Sequence, residues 1–129
     1  MPDLWPKPHP ALSVVRSMLV AALPSIPVST EDPTSRQDKY VVLELLPGDY
    51  PYPTFTEPRV MANCFAKSSL LGGDLGDDVL TAFRNARGVF LGAEVRKCFD
   101  ITGPYRLDDP KITDRVRFQV RGTFRLSTR

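Results

Sequence analysis

Residues 112–126 read ITDRVRFQVRGTFRL, and from position 115 their polarity alternates from one residue to the next. Even-numbered positions from 116 onward are apolar or glycine, whereas odd-numbered positions are arginine, glutamine or threonine. Because successive side chains of a strand point to opposite faces, this period of two predicts one long strand with an arginine-rich face. Phe118 and Val120 are expected to face the core, and Arg117 and Arg121 are expected to point away from it.

A strand of this length needs a neighbour, because its backbone amides and carbonyls must be paired. Residues 89–102 are predicted to form that neighbour. Six apolar residues there share one parity: Val89, Leu91, Ala93, Val95, Phe99 and Ile101. Gly103-Pro104 is expected to begin the turn and residues 107–111 to complete the connection. The sequence therefore predicts a large antiparallel hairpin with a loop of about ten residues.

Upstream of this hairpin, two segments have helical periodicity and three have strand character. Residues 11–23 predict a helix with an apolar stripe, bounded by prolines that suit its start and its end. Residues 26–30 predict a short edge strand, and residues 40–46 and 59–66 predict two further strands. The second helix lies within residues 67–87. Ser68 and Ser69 are candidates to open a helix there. Gly72-Gly73 is expected to interrupt it, and Asp74 is then the candidate N-cap, with Asp77 and Asp78 in the first turn, where the helix dipole favours carboxylates.

The element order predicts a single α+β domain over residues 1–129, in which residues 1–10 form an extended N-terminal arm. Its antiparallel or mixed sheet should carry both helices packed on one face and the long hairpin at the C-terminal end. The length of 129 residues suits one domain with one core.

The formal net charge of +2 is too small to indicate a nucleic-acid partner by itself, but the charge is uneven. Residues 112–129 hold five arginines and one aspartate, a local excess of four positive charges. Three interpretations remain open: a solvated strand face, a protein interface in which arginine pairs with carboxylates, and phosphate binding.

Residues typical of catalysis or metal binding are sparse. The single histidine, His9, lies among prolines, and Cys64 and Cys98 fit no metal-binding spacing, so both are expected to be reduced, buried thiols. Residues 71–76, LGGDLG, lack the features of a nucleotide-binding loop. We therefore expect no catalytic residue, metal site or cofactor, and no enzyme activity. The best apolar run, residues 14–23, is too short to span a membrane, which favours a soluble intracellular protein.

Candidate contact residues are aromatic or arginine. Tyr50, Tyr52 and Phe55 occupy a proline-rich segment that either folds over its own core or forms a binding loop. Trp5 is a possible anchor in the arm. The predicted interface set is Arg115, Arg117, Arg121, Arg125, Tyr50, Tyr52, Phe55 and Trp5. Carboxylates expected to meet the arginines from a neighbouring copy are Glu57, Asp77, Asp78 and Asp108.

Several segments, in order along nearly the whole chain, resemble the tail terminator (tail-completion, minor tail) proteins of long-tailed bacteriophages. These are a helix at residues 12–23 leading into LPxxPV at 23–28, YVVLE at 40–44, and a strand at 59–65 that runs into a helix ending at Ala86. The last are GP at 103–104, DDP at 108–110 and TDRVRFQV at 113–120. Gly72-Gly73 departs from the family, whose helix there is usually cleaner.

The resemblance implies a small α+β virion protein that forms a hexameric ring. Such a ring caps the head-proximal end of the tail tube, stops polymerisation of tube subunits and offers the surface to which the head joins. Implied partners are the chain itself, the major tail tube protein and a head–tail connector or stopper protein. Genomic DNA would pass through the lumen without sequence-specific binding, and no membrane is involved. The implied location is the virion tail or neck, after assembly in the host cytoplasm.

Two alternatives to a terminator remain. One is another neck component, such as a head–tail stopper or adaptor. The other is a small nucleic-acid-binding module that uses the arginine face of the long strand.

Overall fold

The structure, a computed structural model, describes residues 6–50 and 52–128, so Trp5 and part of the predicted arm lie outside the described residues. The helices are α1 (Ala11–Ala22) and α2 (Ser69–Arg84). The strands are β1 (Val28–Ser29), β2 (Lys39–Asp49), β3 (Phe55–Ala66), β4 (Gly88–Phe90), β5 (Ala93–Arg106) and β6 (Val116–Ser127). They form one mixed sheet in the order β1-β2-β3-β6-β5-β4. The predicted α+β class is confirmed.

The C-terminal hairpin is present, because β5 and β6 pair antiparallel and residues 107–115 connect them. The single strand predicted over residues 89–102 is wrong. The chain reverses at Leu91-Gly92, where both residues have positive φ angles of 51° and 80°, so that β4 and β5 pair antiparallel with each other. Val89 and Leu91, placed by parity on the apolar face, are 69% and 60% exposed. At its other end β5 continues through the cis Gly103–Pro104 bond to Arg106 instead of turning there.

Both helices pack on one face of the sheet and share one hydrophobic core with it. The α1 residues Val14, Val15, Met18 and Leu19 are buried in this core. The buried side of α1 is therefore rotated slightly from the predicted apolar stripe, and Ala22 is exposed. At the centre, the Phe83 ring of α2 meets the Phe124 ring of β6 edge-on, with ring centroids 4.9 Å apart. Both aromatic side chains are fully buried, which makes this contact a large contributor to hydrophobic stability.

The predicted interruption of α2 at Gly72-Gly73 is wrong, because the helix runs through both glycines. Ser68 is the N-cap, and its hydroxyl accepts a hydrogen bond from the Leu71 amide at 3.3 Å. The expectation that Asp77 and Asp78 lie in the first turn is therefore wrong, since they lie in the middle of the helix. Their position there is not explained by the helix dipole, which acts within the first turn.

The glycines of α2 allow the helix to lie close to the β5–β6 hairpin. A Cβ atom at Gly72 would lie 2.7 Å from Cδ1 of the Phe118 ring, and one at Gly76 would lie 2.7 Å from Cβ of Pro104. Gly72 and Gly76 are four residues apart and therefore on the same side of the helix. Gly72, which suggested a break in the helix, thus lies where α2 packs closely on the sheet.

Strands β2 and β3 are both longer than predicted. β2 continues through Pro47, with a register shift against β3 between Leu46 and Asp49. Proline is tolerated there because β1 pairs with β2 only near Val41 and Val42, which leaves this side of β2 unpaired at Pro47. The predicted aromatic loop is correspondingly shorter, and Phe55 belongs to β3.

Candidate partner-binding surface

The sheet face opposite the helices, called the open face below, carries the arginines of β6. Strand pairing places on it the alternate residues of β2, β3, β6 and β5. They include Tyr40, Val42, Glu44 and Leu46 of β2; Phe55, Glu57, Arg59, Met61, Asn63 and Phe65 of β3; Arg117, Gln119, Arg121, Thr123 and Arg125 of β6; and Phe99, Thr102 and Tyr105 of β5. Neither described helix packs on this face, so its accessibility depends on loops and on its own side chains.

One end of the open face is covered by the connection between β5 and β6. Ile112 of that connection is buried against Tyr40 and Phe65, whose rings are stacked with centroids 4.9 Å apart. Arg115 closes this end. Its guanidinium donates to the backbone carbonyls of Arg36 and Gln37 at 3.1–3.3 Å, and its side chain is only 9% exposed.

Arg117 also interacts with groups of its own chain. Its Nε donates to the Leu107 carbonyl at 2.7 Å, and its guanidinium lies 3.7 Å from the Asp109 carboxylate. Its backbone amide donates to Asp108 at 3.2 Å, while Arg106 makes two hydrogen bonds to the same carboxylate. The Arg106 guanidinium and the Arg117 amide hold the pKa of Asp108 below its usual value of 3.8. Asp108 is thus already paired inside its own chain.

The opposite end of the open face is closed by Arg125. Its Nε and one terminal nitrogen donate to Glu57 at 3.1 and 2.7 Å, and its guanidinium lies over the Phe55 ring at 4.8 Å. Phe55 also contacts Tyr52, with ring centroids 4.7 Å apart. Of the three aromatic residues in the predicted binding loop, Phe55 is therefore held against its own sheet, whereas Tyr50 and Tyr52 are exposed.

Between these closed ends lie two arginines with no hydrogen bond or ion pair to any residue that the structure describes, Arg59 and Arg121. Both are exposed. Arg59 stands opposite Thr123, and Arg121 stands opposite Met61, so the two arginines are diagonal neighbours on adjacent strands. Cβ atoms in such a diagonal relation lie within about 7–8 Å, close enough for both guanidiniums to reach one ligand or two adjacent carboxylates.

The two arginines line a groove of about 520 Å³ on the open face, called the arginine groove below. Its other lining residues are Leu46, Pro47, Asp100, Thr102, Gly122 and Thr123. Asp100 has a positive φ of 52°, at a register shift between Phe99 and Thr102, and this irregularity in β5 shapes one wall. With two arginines and one aspartate, the groove keeps an excess of positive charge.

The structure thus separates the predicted row of arginines into two groups. Arg115, Arg117 and Arg125 are satisfied by groups of the same chain, so their alignment on one face does not require a partner. Arg121 has no hydrogen bond or ion pair to any described residue. The same holds for its neighbour Arg59, which sequence reasoning missed. The sequence did contain a signal for Arg59. It has the same parity as Met61 and Asn63, opposite to that of the apolar Val60 and Ala62, which places it on the face of the strand away from the core.

Cys64 and Cys98 are free thiols on the helix-covered side, and burial raises the pKa of each to about 12. No group of three His, Cys, Asp or Glu side chains within the described ranges could hold a metal ion. Among residues 6–50 and 52–128, no helix combines the length and apolar character needed to cross a membrane.

Comparison of the chain with protein-family models and with curated proteins found no match.

Proposed function

We propose that this chain is a structural assembly protein of the tail terminator class, which forms a ring on the head-proximal end of a phage tail tube. The observation that carries the proposal is the arginine groove. There two arginines that have no partner among residues 6–50 and 52–128 lie in the middle of a sheet face that no described helix covers. Arginine is enriched in protein interfaces because its planar fork pairs with carboxylates in two hydrogen bonds.

The surroundings of the groove support a protein partner. Leu46 and Met61 of the open face are partly exposed beside the arginines. Apolar side chains next to a charged group are typical of an interface that combines a dry centre with a polar rim.

The element order also supports the proposal. The segments that resemble the terminator family follow the order of the structure. They cover α1 and the chain leading into β1, then β2, then β3 followed by α2, and finally the β5–β6 hairpin with its connection. This agreement concerns fold and order along the chain. The function itself rests on the resemblance together with the arginine groove.

In the proposed role, copies of the chain contact one another and close into a ring, and one rim of the ring binds the last layer of tube subunits. Blocking that layer stops polymerisation, and the other rim remains free for the head. A ring requires each copy to present two different, complementary surfaces, because its contacts run head to tail.

The test is deletion of the coding sequence in the phage that encodes it, followed by electron microscopy of the particles. The proposal expects tails of uncontrolled length that are not joined to heads, and rescue when the chain is supplied from a plasmid. Tails of normal length and normal attachment in the deletion would overturn it. Tails of normal length that lack heads would instead indicate a head–tail stopper or adaptor.

A nucleic-acid-binding role is the second candidate, because Arg59 and Arg121 share the arginine groove with Thr102 and Thr123, and arginine and threonine side chains both bind phosphate. Phosphate contacts make affinity fall steeply with salt concentration. Duplex and single-stranded DNA titrations at increasing salt test this role. Absent or salt-insensitive binding removes it.

A further inference from the structure

The outward side of α2 carries three carboxylates without ion-pair partners among the described residues: Asp74, Asp77 and Asp78. Leu75 and Val79 of the same helix are buried against the sheet, so the acidic side points away from it. Asp74 is separated from Asp77 by three positions and from Asp78 by four, spacings at which like charges destabilise an isolated helix. Neither the dipole nor the described neighbours compensate this repulsion.

The acidic side of α2 and the arginine groove lie on opposite faces of the molecule and have opposite charge. Their spacings also match. At a rise of 1.5 Å per residue, Asp74 and Asp78 are about 6 Å apart along the helix. Arg59 and Arg121, as diagonal neighbours in a sheet, have Cβ atoms within about 7–8 Å of each other. Two carboxylates of one helix can therefore meet two guanidiniums of one sheet.

Apolar residues accompany both charged surfaces. Leu70 lies one turn before Asp74 on the outward side of α2 and is 77% exposed. In the arginine groove the apolar wall is formed by Leu46 and Pro47. A contact that paired the charges would therefore also bring exposed apolar side chains together, which removes apolar surface from water.

We infer that the acidic side of α2 in one copy of this chain docks into the arginine groove of a second copy. The inference rests on the proposed function, which requires self-assembly, and it names the two surfaces that meet. Because these surfaces differ, the contact is heterologous and leaves one of each free on the outer copies. Such a contact repeats until successive rotations close a ring, and it extends into a filament if they do not.

A charge-exchange experiment tests the contact. One variant carries Arg59→Glu and Arg121→Glu, and a second carries Asp74→Lys, Asp77→Lys and Asp78→Lys. Each alone should lose assembly, with the concentration for half-maximal association raised roughly tenfold or more, because like charges would face each other. The two variants mixed, or all five changes in one chain, restore opposite charges at every contact and should restore assembly.

Arg96→Glu is the matched control, because Arg96 is an exposed β5 arginine outside the arginine groove, paired with Glu94 at 3.3 Å. It should assemble like the unaltered chain. Sedimentation velocity at low and high salt provides the readout, and circular dichroism checks that each variant folds. Association of the unaltered chain should weaken as salt rises, because exposed charge pairs are screened.

Three outcomes would overturn the inference. The first is that the unaltered chain remains monomeric at low salt. The second is that the Arg59→Glu, Arg121→Glu variant assembles as well as the unaltered chain. The third is that both variants lose assembly but their mixture stays monomeric while folded. If the arginine variant loses only salt-sensitive DNA binding, the groove binds phosphate instead. The tail-length experiment is independent of these outcomes, so a chain that assembles through another surface still passes it.

Discussion

Two glycines of α2, three residues apart, have different surroundings, and replacing each with alanine should change stability in opposite directions. A Cβ atom at Gly73 would have no neighbouring atom within 4 Å. Alanine there gains helix propensity without a clash, so Gly73→Ala should stabilise the fold by about 0.5–1 kcal/mol. A Cβ atom at Gly76 would lie 2.7 Å from Cβ and 3.2 Å from Cγ of Pro104.

The clash at Gly76 cannot be relieved by rotating a side chain, because the proline ring is fixed to the backbone of β5. Overpacking of this kind costs about 1–3 kcal/mol. The propensity gain is common to both substitutions and cancels when they are compared. Gly76→Ala should therefore be less stable than Gly73→Ala by about 1–3 kcal/mol, and net destabilised by up to about 2.5 kcal/mol relative to the unaltered chain.

Urea unfolding followed by circular dichroism measures both variants, and equal slopes against urea show that the unfolded states are comparable. The contrast between the variants is the result to examine. If Gly76→Ala is as stable as Gly73→Ala, α2 does not lie as close to the hairpin as the structure has it, and the reason given for the glycines is wrong.

Three further predictions concern the core, the thiols and the acid side of the pH range. Phe124→Ala should cost about 3–5 kcal/mol in urea unfolding, whereas Arg121→Ala should stay within about 0.5 kcal/mol; similar losses would mean that the face assignment of β6 is wrong. The two cysteines, with pKa values of about 12, should resist alkylation at mildly alkaline pH in the folded protein. Both should react after denaturation without reductant, and a missing thiol there would contradict the free-thiol assignment. The pKa of Asp108 is depressed in the folded state, so its stabilising contribution is present above its usual value of 3.8 and is lost as the pH falls through the lower folded value. Asp108→Asn should therefore reduce the decline in melting temperature on acidification, and an unchanged decline would exclude this carboxylate as a contributor.

The parts of the fold that the sequence predicted are those with a strong local pattern. β6 was predicted because its alternation is continuous, and Val120, Phe124 and Leu126 are indeed buried on the helix-covered side. The reversal at Leu91-Gly92 was missed because leucine rarely adopts a positive φ, so nothing marked the site as a two-residue turn.

The continuity of α2 through Gly72-Gly73 was missed for a different reason. Glycine lowers helix propensity, so Gly72-Gly73 suggested a break. The compensating contact of Gly76 with Pro104 joins residues far apart in the chain and has no local pattern. Tertiary packing overrides propensity at this site, and the helix begins at its N-cap Ser68, one of the two serines that could open it.

The candidate surface was predicted in outline, because alternation placed the arginines on one face. Their partners were not predictable from local pattern. Arg125 meets Glu57 across 68 positions of sequence, and Arg115 meets the carbonyl of Gln37 across 78. Only such long-range contacts distinguish arginines that form hydrogen bonds within the fold from Arg121, which has no partner among the residues described.

Native mass spectrometry of the purified, unaltered chain, recorded at low ionic strength over a range of concentrations, tests self-assembly most directly. We expect one dominant closed species with the mass of six chains, which dissociates as salt is added and disappears in the Arg59→Glu, Arg121→Glu variant. A monomer as the main species at every concentration, with the same spectrum for the variant, would contradict assembly through the open face.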